Sequence, residues 1–494
     1  MPEGDAVVVG AGFGGMTAAA LLAKEGFNVD VVEKLDQPGG RATVWKKDGF
    51  LFDLGPSWYL MPEVFEKFFS ELGRKPSDYY DLVRLDPHYR VFYSPEDVMD
   101  VRADLKENLK LFESREKGGA DKLERYLDSA SYQYNVAMNE FIYKEYRSLF
   151  DFMNRKLMVE GTKLHIFESL DKYASRYIKD PDLRKILEYN IVFLGGTPNN
   201  SPALYALMSH VDFNLGVWYP KGGMGMLSKG FHDVGVEQGV RFHFDTEVKR
   251  ITTEGKGVTG VETDKGKMDA DLVVVNADYP HAEIDLLDKK RRTYREKYWK
   301  RKSIAPSSVL FYIGLDKKLD NVKHHNLYFS PQWEKHFDTI FDNPSWPDDP
   351  SYYVCCPSKT DDEVAPEGKE NLFFLVPVAP GLDDTDKIRE QLFEKVIHHF
   401  EMLTGERIKD HIVVKRIFSH RDFKERYNAY QGTALGFAHT LLQTAVFRPS
   451  HYSKKVKNLY YTGHYTHPGI GVPMVVISSQ ILAKEIARQW SKER

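Results

Sequence analysis

The feature that most constrains this chain lies at its start. An apolar run, a glycine loop, a helix-forming stretch and a second apolar run follow one another before residue 34. Ala6–Val9 reads as a buried parallel strand. Gly10-Ala11-Gly12-Phe13-Gly14-Gly15 is the loop, Met16–Lys24 is built from strong helix formers, and Gly26 stops the helix. Val29–Glu33 is the second strand. The glycines at 10, 12 and 15 fit G-x-G-x-x-G. The first permits a tight turn, the second lets backbone approach a pyrophosphate, and the third lets helix and strand pack closely. The helix N-terminus then offers unpaired N–H groups and its positive dipole end to the phosphates. Glu33, closing the second strand, is placed to accept hydrogen bonds from ribose hydroxyls. A glycine turn beside a surface Glu is the alternative, and the strand–loop–helix–strand–acid order disfavours it. Such a βαβ start commits the chain to an α/β fold with a parallel sheet and right-handed crossovers.

The next residues narrow the dinucleotide. Asp36-Gln37-Pro38-Gly39-Gly40-Arg41 follows the acid directly. Gly39 and Gly40 allow a loop to lie against a dinucleotide, and Arg41 presents a fixed cationic fork to it. An NAD enzyme has little use for this second element, so the pair of motifs points to FAD rather than to an ordinary Pro-Gly turn. Composition fits a globular enzyme. The 494 residues carry a net charge of −4, and no basic excess marks a nucleic-acid partner. Cys355 and Cys356 are adjacent, which disfavours a disulfide, and no metal-ligand spacing is present. The N-terminus lacks a signal-peptide pattern, and no apolar run reaches the length of a membrane span. A reducing, cytoplasmic setting is expected, with any membrane contact peripheral.

Further along, segment 104–190 reads as several amphipathic helices, a cap or substrate domain. Strands are expected at Val240–Phe244, Glu247–Ile251, Gly257–Thr263, Asp271–Val275, Ser308–Leu315, Leu372–Val378 and Leu459–Thr462. Helices are expected at Asp386–Leu403 and Val476–Gln489. Glycine-rich stretches at both ends and near 218–230 suggest a discontinuous nucleotide domain built from 1–85, 220–285 and 450–494. Residues 86–219 and 286–449 would form the substrate-binding, membrane-associating part.

Glu33-Lys34-x-Asp36-x-Pro38-Gly39-Gly40-Arg41 resembles the extended FAD signature of amine oxidases, protoporphyrinogen oxidases and carotene desaturases. Gly49–Ser57, Trp218–Gly225, Asn428–Ala434 and Thr466–Pro473 are similar to stretches of the bacterial and archaeal phytoene desaturases, Thr466–Pro473 being the most specific. The resemblance implies a Rossmann-type FAD-binding domain of GR2-like flavoproteins, with an inserted mixed α+β substrate domain and helical cap. It implies that Glu33 and Arg41 contact the adenosine half and pyrophosphate, and that Gly55-Pro56-Ser57 lies near the flavin ring. Val248 would hold the adenine through its backbone. Gly463 and Gly471-Val472-Pro473-Met474 would close over the cofactor. The sequence departs from many bacterial relatives at His464-Tyr465 and Met474, where small residues are frequent, which puts the particular substrate in question.

The implied activity is desaturation of an acyclic carotenoid such as phytoene, with hydride going to flavin and a proton lost. A dry slot protects the cationic intermediate from water. Quinone or oxygen would take the electrons. No triad, carboxylate pair or metal cluster stands out. His467 is the nearest acid or base beside the flavin, unless it only fixes the Pro-Gly turn; Asp53 carries a similar ambiguity, as it could cap the turn at Gly55. Tyr132–Leu157, with Phe141, Tyr143 and Tyr146 among Lys144, Arg147, Arg155 and Lys156, is a candidate interfacial helix, against the alternative of a solvated helix with a core face. Other readings are a carotene isomerase, a retinol saturase or an amine oxidase. A prenyl binder like GDP-dissociation inhibitors is disfavoured by the intact Glu33 and Gly39-Gly40-Arg41.

Overall fold

The computed structural model describes residues 4–146, 164–165 and 168–493. β1 (Asp5–Val9), α1 (Phe13–Lys24) and β2 (Asn28–Val32) form the expected βαβ start. β1 pairs in parallel with β2 on one side and with Leu272–Val275 on the other. Leu459–Tyr461 and Arg241–His243 complete a five-stranded parallel sheet at its two edges. Strand alternation sends Ala6 and Val8 to one face and Val7 and Val9 to the other. Ala6 and Val8 meet the helical core of α1, Met224–Glu237 and Val472–Glu493. Val7 and Val9 meet Val248, Ile251, Val258 and Val261 of a three-stranded antiparallel sheet. Both faces are covered, so the strands read as unbroken Val-rich runs.

α1 begins at Phe13, three residues before the expected Met16, and Gly12 is its N-cap. Two glycines thus sit in the first helical turn, against helix propensity. Close packing decides the matter: a Cβ on Gly15 would stand 1.9 Å from the Gly10 carbonyl oxygen. The last helix likewise starts at Val472, ahead of the expected Val476. Propensity scales see the glycine and proline there but not the neighbours that hold them.

A second sheet has seven strands, in the order Ile412–Phe418, Ser307–Leu315, Glu370–Val378, Tyr352–Cys355, His325–Tyr328, Tyr89–Phe92 and Val98–Val101. Ser307–Leu315 is buried throughout. Its Val309, Phe311 and Ile313 pack on helix Asp386–Thr404. Leu310 and Tyr312 face the opposite core, which also takes in helices Gly119–Val136, Leu170–Tyr177 and Pro181–Glu188. These are the amphipathic helices expected in 104–190. Helix Gly119–Val136 passes into a π-helical turn, Ala137–Ile142, and ends there. The candidate interfacial helix Tyr132–Leu157 is therefore interrupted within its described half, and its residues 147–157 lie outside the described residues. Among the described residues no helix is long and apolar enough to cross a membrane.

Candidate functional site

A chamber of about 690 Å³ opens where the carboxyl ends of β1 and β2 meet the seven-stranded sheet and the helical layer. This is where an open parallel sheet places its ligands. Gly10, Gly12, Phe13, Glu33, Lys34, Gly39, Gly40 and Arg41 line it, as do Gly55, Pro56, Ser57, Val248, Gly471, Val472, Pro473, Met474 and His467. Residues expected from distant parts of the sequence thus share one wall. Gly14, Gly15 and Gly463 do not line the chamber. They stand against Asn276: its Oδ1 accepts the Gly15 N–H at 2.6 Å, and a Cβ on Gly14 would meet that oxygen at 2.6 Å. A Cβ on Gly463 would lie 3.6 Å from Asn276 Nδ2. Asn276 was not anticipated, although its position just past the strand Leu272–Val275 was the available signal.

The glycine loop is prepared for an anion. Gly12 caps α1 with no side-chain hydrogen bond, and no acidic residue occupies the first turn. The positive end of the helix is therefore left uncompensated. Gly39 donates its N–H to the Ala11 carbonyl at 2.8 Å, tying the second glycine loop to the first. Glu33 is buried, with Oε2 accepting the Ala11 N–H at 2.7 Å and Oε1 the Leu35 N–H at 2.8 Å. Burial pushes its carboxyl above the ordinary range, opposed by those backbone bonds and by Arg426.

Arg41 is only loosely held. Its guanidinium lies 3.4 Å from His464 Nε2, 3.5 Å from the Thr433 carbonyl and 3.9 Å from Asp278 Oδ2. Its buried Nε, like that of Arg426, has no hydrogen-bond partner among the described residues. Two half-buried guanidiniums, each with an unspent buried Nε donor, beside an uncapped helix N-terminus suit a pyrophosphate. This is the fit that an FAD site requires. Arg426 escaped sequence reading because it sits on helix His420–Tyr427, outside any glycine motif. Lys34 Nζ donates to the Glu425 carbonyl at 2.8 Å, which joins that helix to the dinucleotide end.

Among the described residues, the six charged side chains lining the chamber, Glu33, Lys34, Arg41, Glu247, Asp278 and Arg426, are linked into this one end. Beyond it the walls are Leu60, Phe65, Tyr134, Met138, Phe141, Ile142, Phe193, Leu204, Leu207, Met208 and Phe447. Part of the candidate interfacial segment, from Tyr134 to Ile142, contributes chamber wall, in keeping with the alternative of a helix with a core face.

His467 lines the chamber beside Ile142 of the apolar wall. Its Nε2 lies 3.0 Å from the Ile142 carbonyl oxygen, which can only accept, so Nε2 carries the proton. Nδ1 is then a bare lone pair, buried and without a partner among the described residues. Burial lowers the ring to about 4, helped by His451, so it is neutral at pH 7. Asp53 stands behind the chamber lining and does not cap Gly55. Its two oxygens accept the Met224 and Gly225 N–H groups at 2.8 and 2.9 Å, capping the start of helix Met224–Glu237. Of the unusual pair, His464 lines the chamber against Arg41, while Tyr465 is buried outside it and donates to Asp278 Oδ2 at 3.0 Å.

The family of flavin containing amine oxidoreductases matches residues 13–487. A carotenoid 3,4-desaturase from Haloarcula japonica is 48% identical over 484 residues, 98% of each chain. A zeta-carotene-forming phytoene desaturase from Myxococcus xanthus is 35% identical over 488 residues, 97% of this chain and 93% of the relative. Among solved structures, an oxidoreductase from Methanosarcina mazei covers 97% of this chain and 100% of its own, with a TM-score of 0.65 at 19% identity, a likeness of fold.

Proposed function

Because the chain belongs to the flavin containing amine oxidoreductase family, we propose that it is a carotenoid desaturase acting on an acyclic polyene. It is an FAD-dependent oxidoreductase. The observation that carries the reading is the split polarity of the chamber, charged where a dinucleotide fits and apolar where a hydrocarbon fits. When bound, FAD supplies a hydride acceptor. Glu33, Arg41, Arg426 and the glycine loops hold the dinucleotide. Leu204, Leu207, Met208 and Phe193 exclude water from the polyene, which protects a developing allylic cation from capture. His467 Nδ1 takes the proton. A neutral imidazole of low basicity suffices, since a carbon next to such a cation is strongly acidic.

A substrate of this class resides in a bilayer, so the protein docks on a membrane surface peripherally. Exposed Leu442 and Phe447, the latter also in the chamber wall, form the rim that would meet it. Electrons leave to a quinone or oxygen. The test is expression in cells making phytoene, and separately in cells making more unsaturated acyclic carotenes, with pigment analysis. New, longer chromophores in either are expected. Unchanged pigment in both, with flavin-loaded protein present, refutes the reading.

A further inference from the structure

His325 and Cys355 are cross-strand partners in the seven-stranded sheet, so their side chains leave the same face. His324 precedes His325, and its carbonyl accepts the Cys356 N–H at 2.7 Å, which fixes the chain at this point. One nitrogen of each imidazole and the Cys355 Sγ all lie within 4.8 Å of one another. All three residues are buried, and the thiol is free.

The two rings are already oriented. His324 Nδ1 is 2.7 Å from Thr360 Oγ1, and His325 Nδ1 is 2.6 Å from the Tyr353 hydroxyl. The Nε2 atoms of both have no hydrogen-bond partner among the described residues. A buried ring nitrogen left unmet is destabilising. Two imidazoles fixed through Nδ1 to hydroxyls, with Nε2 unspent, form the arrangement that metal-ligating histidines adopt.

We propose that His324, His325 and Cys355 hold a zinc(II) ion. Imidazole nitrogen and thiolate sulfur are the ligands zinc favours. On binding, the Cys355 S–H bond is lost, its proton goes to solvent, and a zinc–sulfur bond forms in its place. The carboxylates of Asp361, in the field of His324, and Asp53, in the field of Cys355, offset the charge that remains. Zinc bonds are short, so the ion draws the three side chains together. None of the three lines the chamber, so the ion acts on the wall and not on the substrate, with its fourth position left to a non-protein ligand. It braces the chamber wall from behind: Trp58 stacks on His325 at 4.3 Å and 5°, and Ser57 Oγ lies 2.8 Å from the Tyr353 hydroxyl. The proposal stands independently of the substrate.

The test uses tag-free, flavin-loaded protein made in zinc-supplemented medium and exchanged into metal-free buffer. Elemental analysis and zinc K-edge absorption are then measured, neither of which the flavin disturbs. About one zinc per chain is expected, with a sulfur neighbour at ~2.3 Å and nitrogen at ~2.0–2.1 Å. Cys355→Ser and His324→Asn should each lose it. Negligible zinc, zinc with only nitrogen and oxygen neighbours, or stoichiometric copper in its place overturns the proposal. Undiminished zinc in folded Cys355→Ser does the same. If the variants fail to fold, the neighbour shell of the native protein still decides.

Discussion

Replacing Glu33 by Gln keeps the side-chain volume but removes one of two acceptors from a buried site. In the native protein each carboxylate oxygen receives one backbone N–H, from Ala11 at 2.7 Å and from Leu35 at 2.8 Å. A carboxamide has one oxygen, and its NH2 must then face the other N–H. A buried donor left without an acceptor costs about 1–3 kcal/mol. The Ala11 N–H belongs to the loop proposed to hold the pyrophosphate, and Glu33 is proposed to receive the ribose hydroxyls as well. The backbone penalty is shared by the free and flavin-bound states, but the carboxamide oxygen, held by one backbone N–H, leaves the ribose without the second carboxylate acceptor, a loss of similar size that falls on the bound state alone. At roughly 1.4 kcal/mol per decade, FAD affinity should drop about 10- to 100-fold. Titrating apoprotein with FAD and following flavin fluorescence gives Kd. The thermal midpoint of the apoprotein shows whether the fold is retained. Glu33→Ala should lose more flavin while remaining folded. A native Kd in E33Q, or full flavin occupancy in E33A, refutes the role assigned to Glu33.

Gly15→Ala places a methyl 1.9 Å from the Gly10 carbonyl oxygen, an overpacking worth about 1–3 kcal/mol; flavin per chain after gel filtration should fall. A variant that retains native flavin content would show that this turn tolerates a side chain. His467→Phe removes the Nδ1 lone pair and should cut turnover by about 10²–10⁴-fold while leaving flavin content intact; unchanged turnover excludes His467 as proton acceptor. Burial pushes the Asp212 carboxyl up to about 7, against the bonds it accepts from the Tyr89 and Tyr189 hydroxyls. A carboxyl raised by folding stabilises most at low pH, and that contribution is lost as pH rises through its folded value. The stability advantage of native protein over Asp212→Asn should therefore shrink from pH 5 to about 7 and then level off in thermal melts. An advantage that grows with pH contradicts the raised carboxyl.

The sequence alone determined what depends on local backbone chemistry. Glycines at 10, 12, 39 and 40 report where backbone must turn sharply or approach a ligand, and Gly10, Gly39 and Gly40 do adopt positive φ. The Val-rich runs report strands buried on both faces. These signals lie within a few residues of their cause, so the βαβ start and most of the dinucleotide wall were legible. Tertiary structure decided what depends on distant segments meeting. Arg426 beside Glu33 and the inward face of Tyr134–Ile142 have no local pattern, because each is defined by its partner, and Asn276 under the glycine loop had only its place at a strand end. Asp53 read as ambiguous for the same reason, its partners Met224 and Gly225 being remote in the chain. The glycine loop also looked like a loop until packing drew its second half into α1. The cluster of His324, His325 and Cys355 shows the limit most clearly. Ligand spacing along the chain found nothing there, since the register between two strands, and not sequence distance, brings the sulfur to the imidazoles.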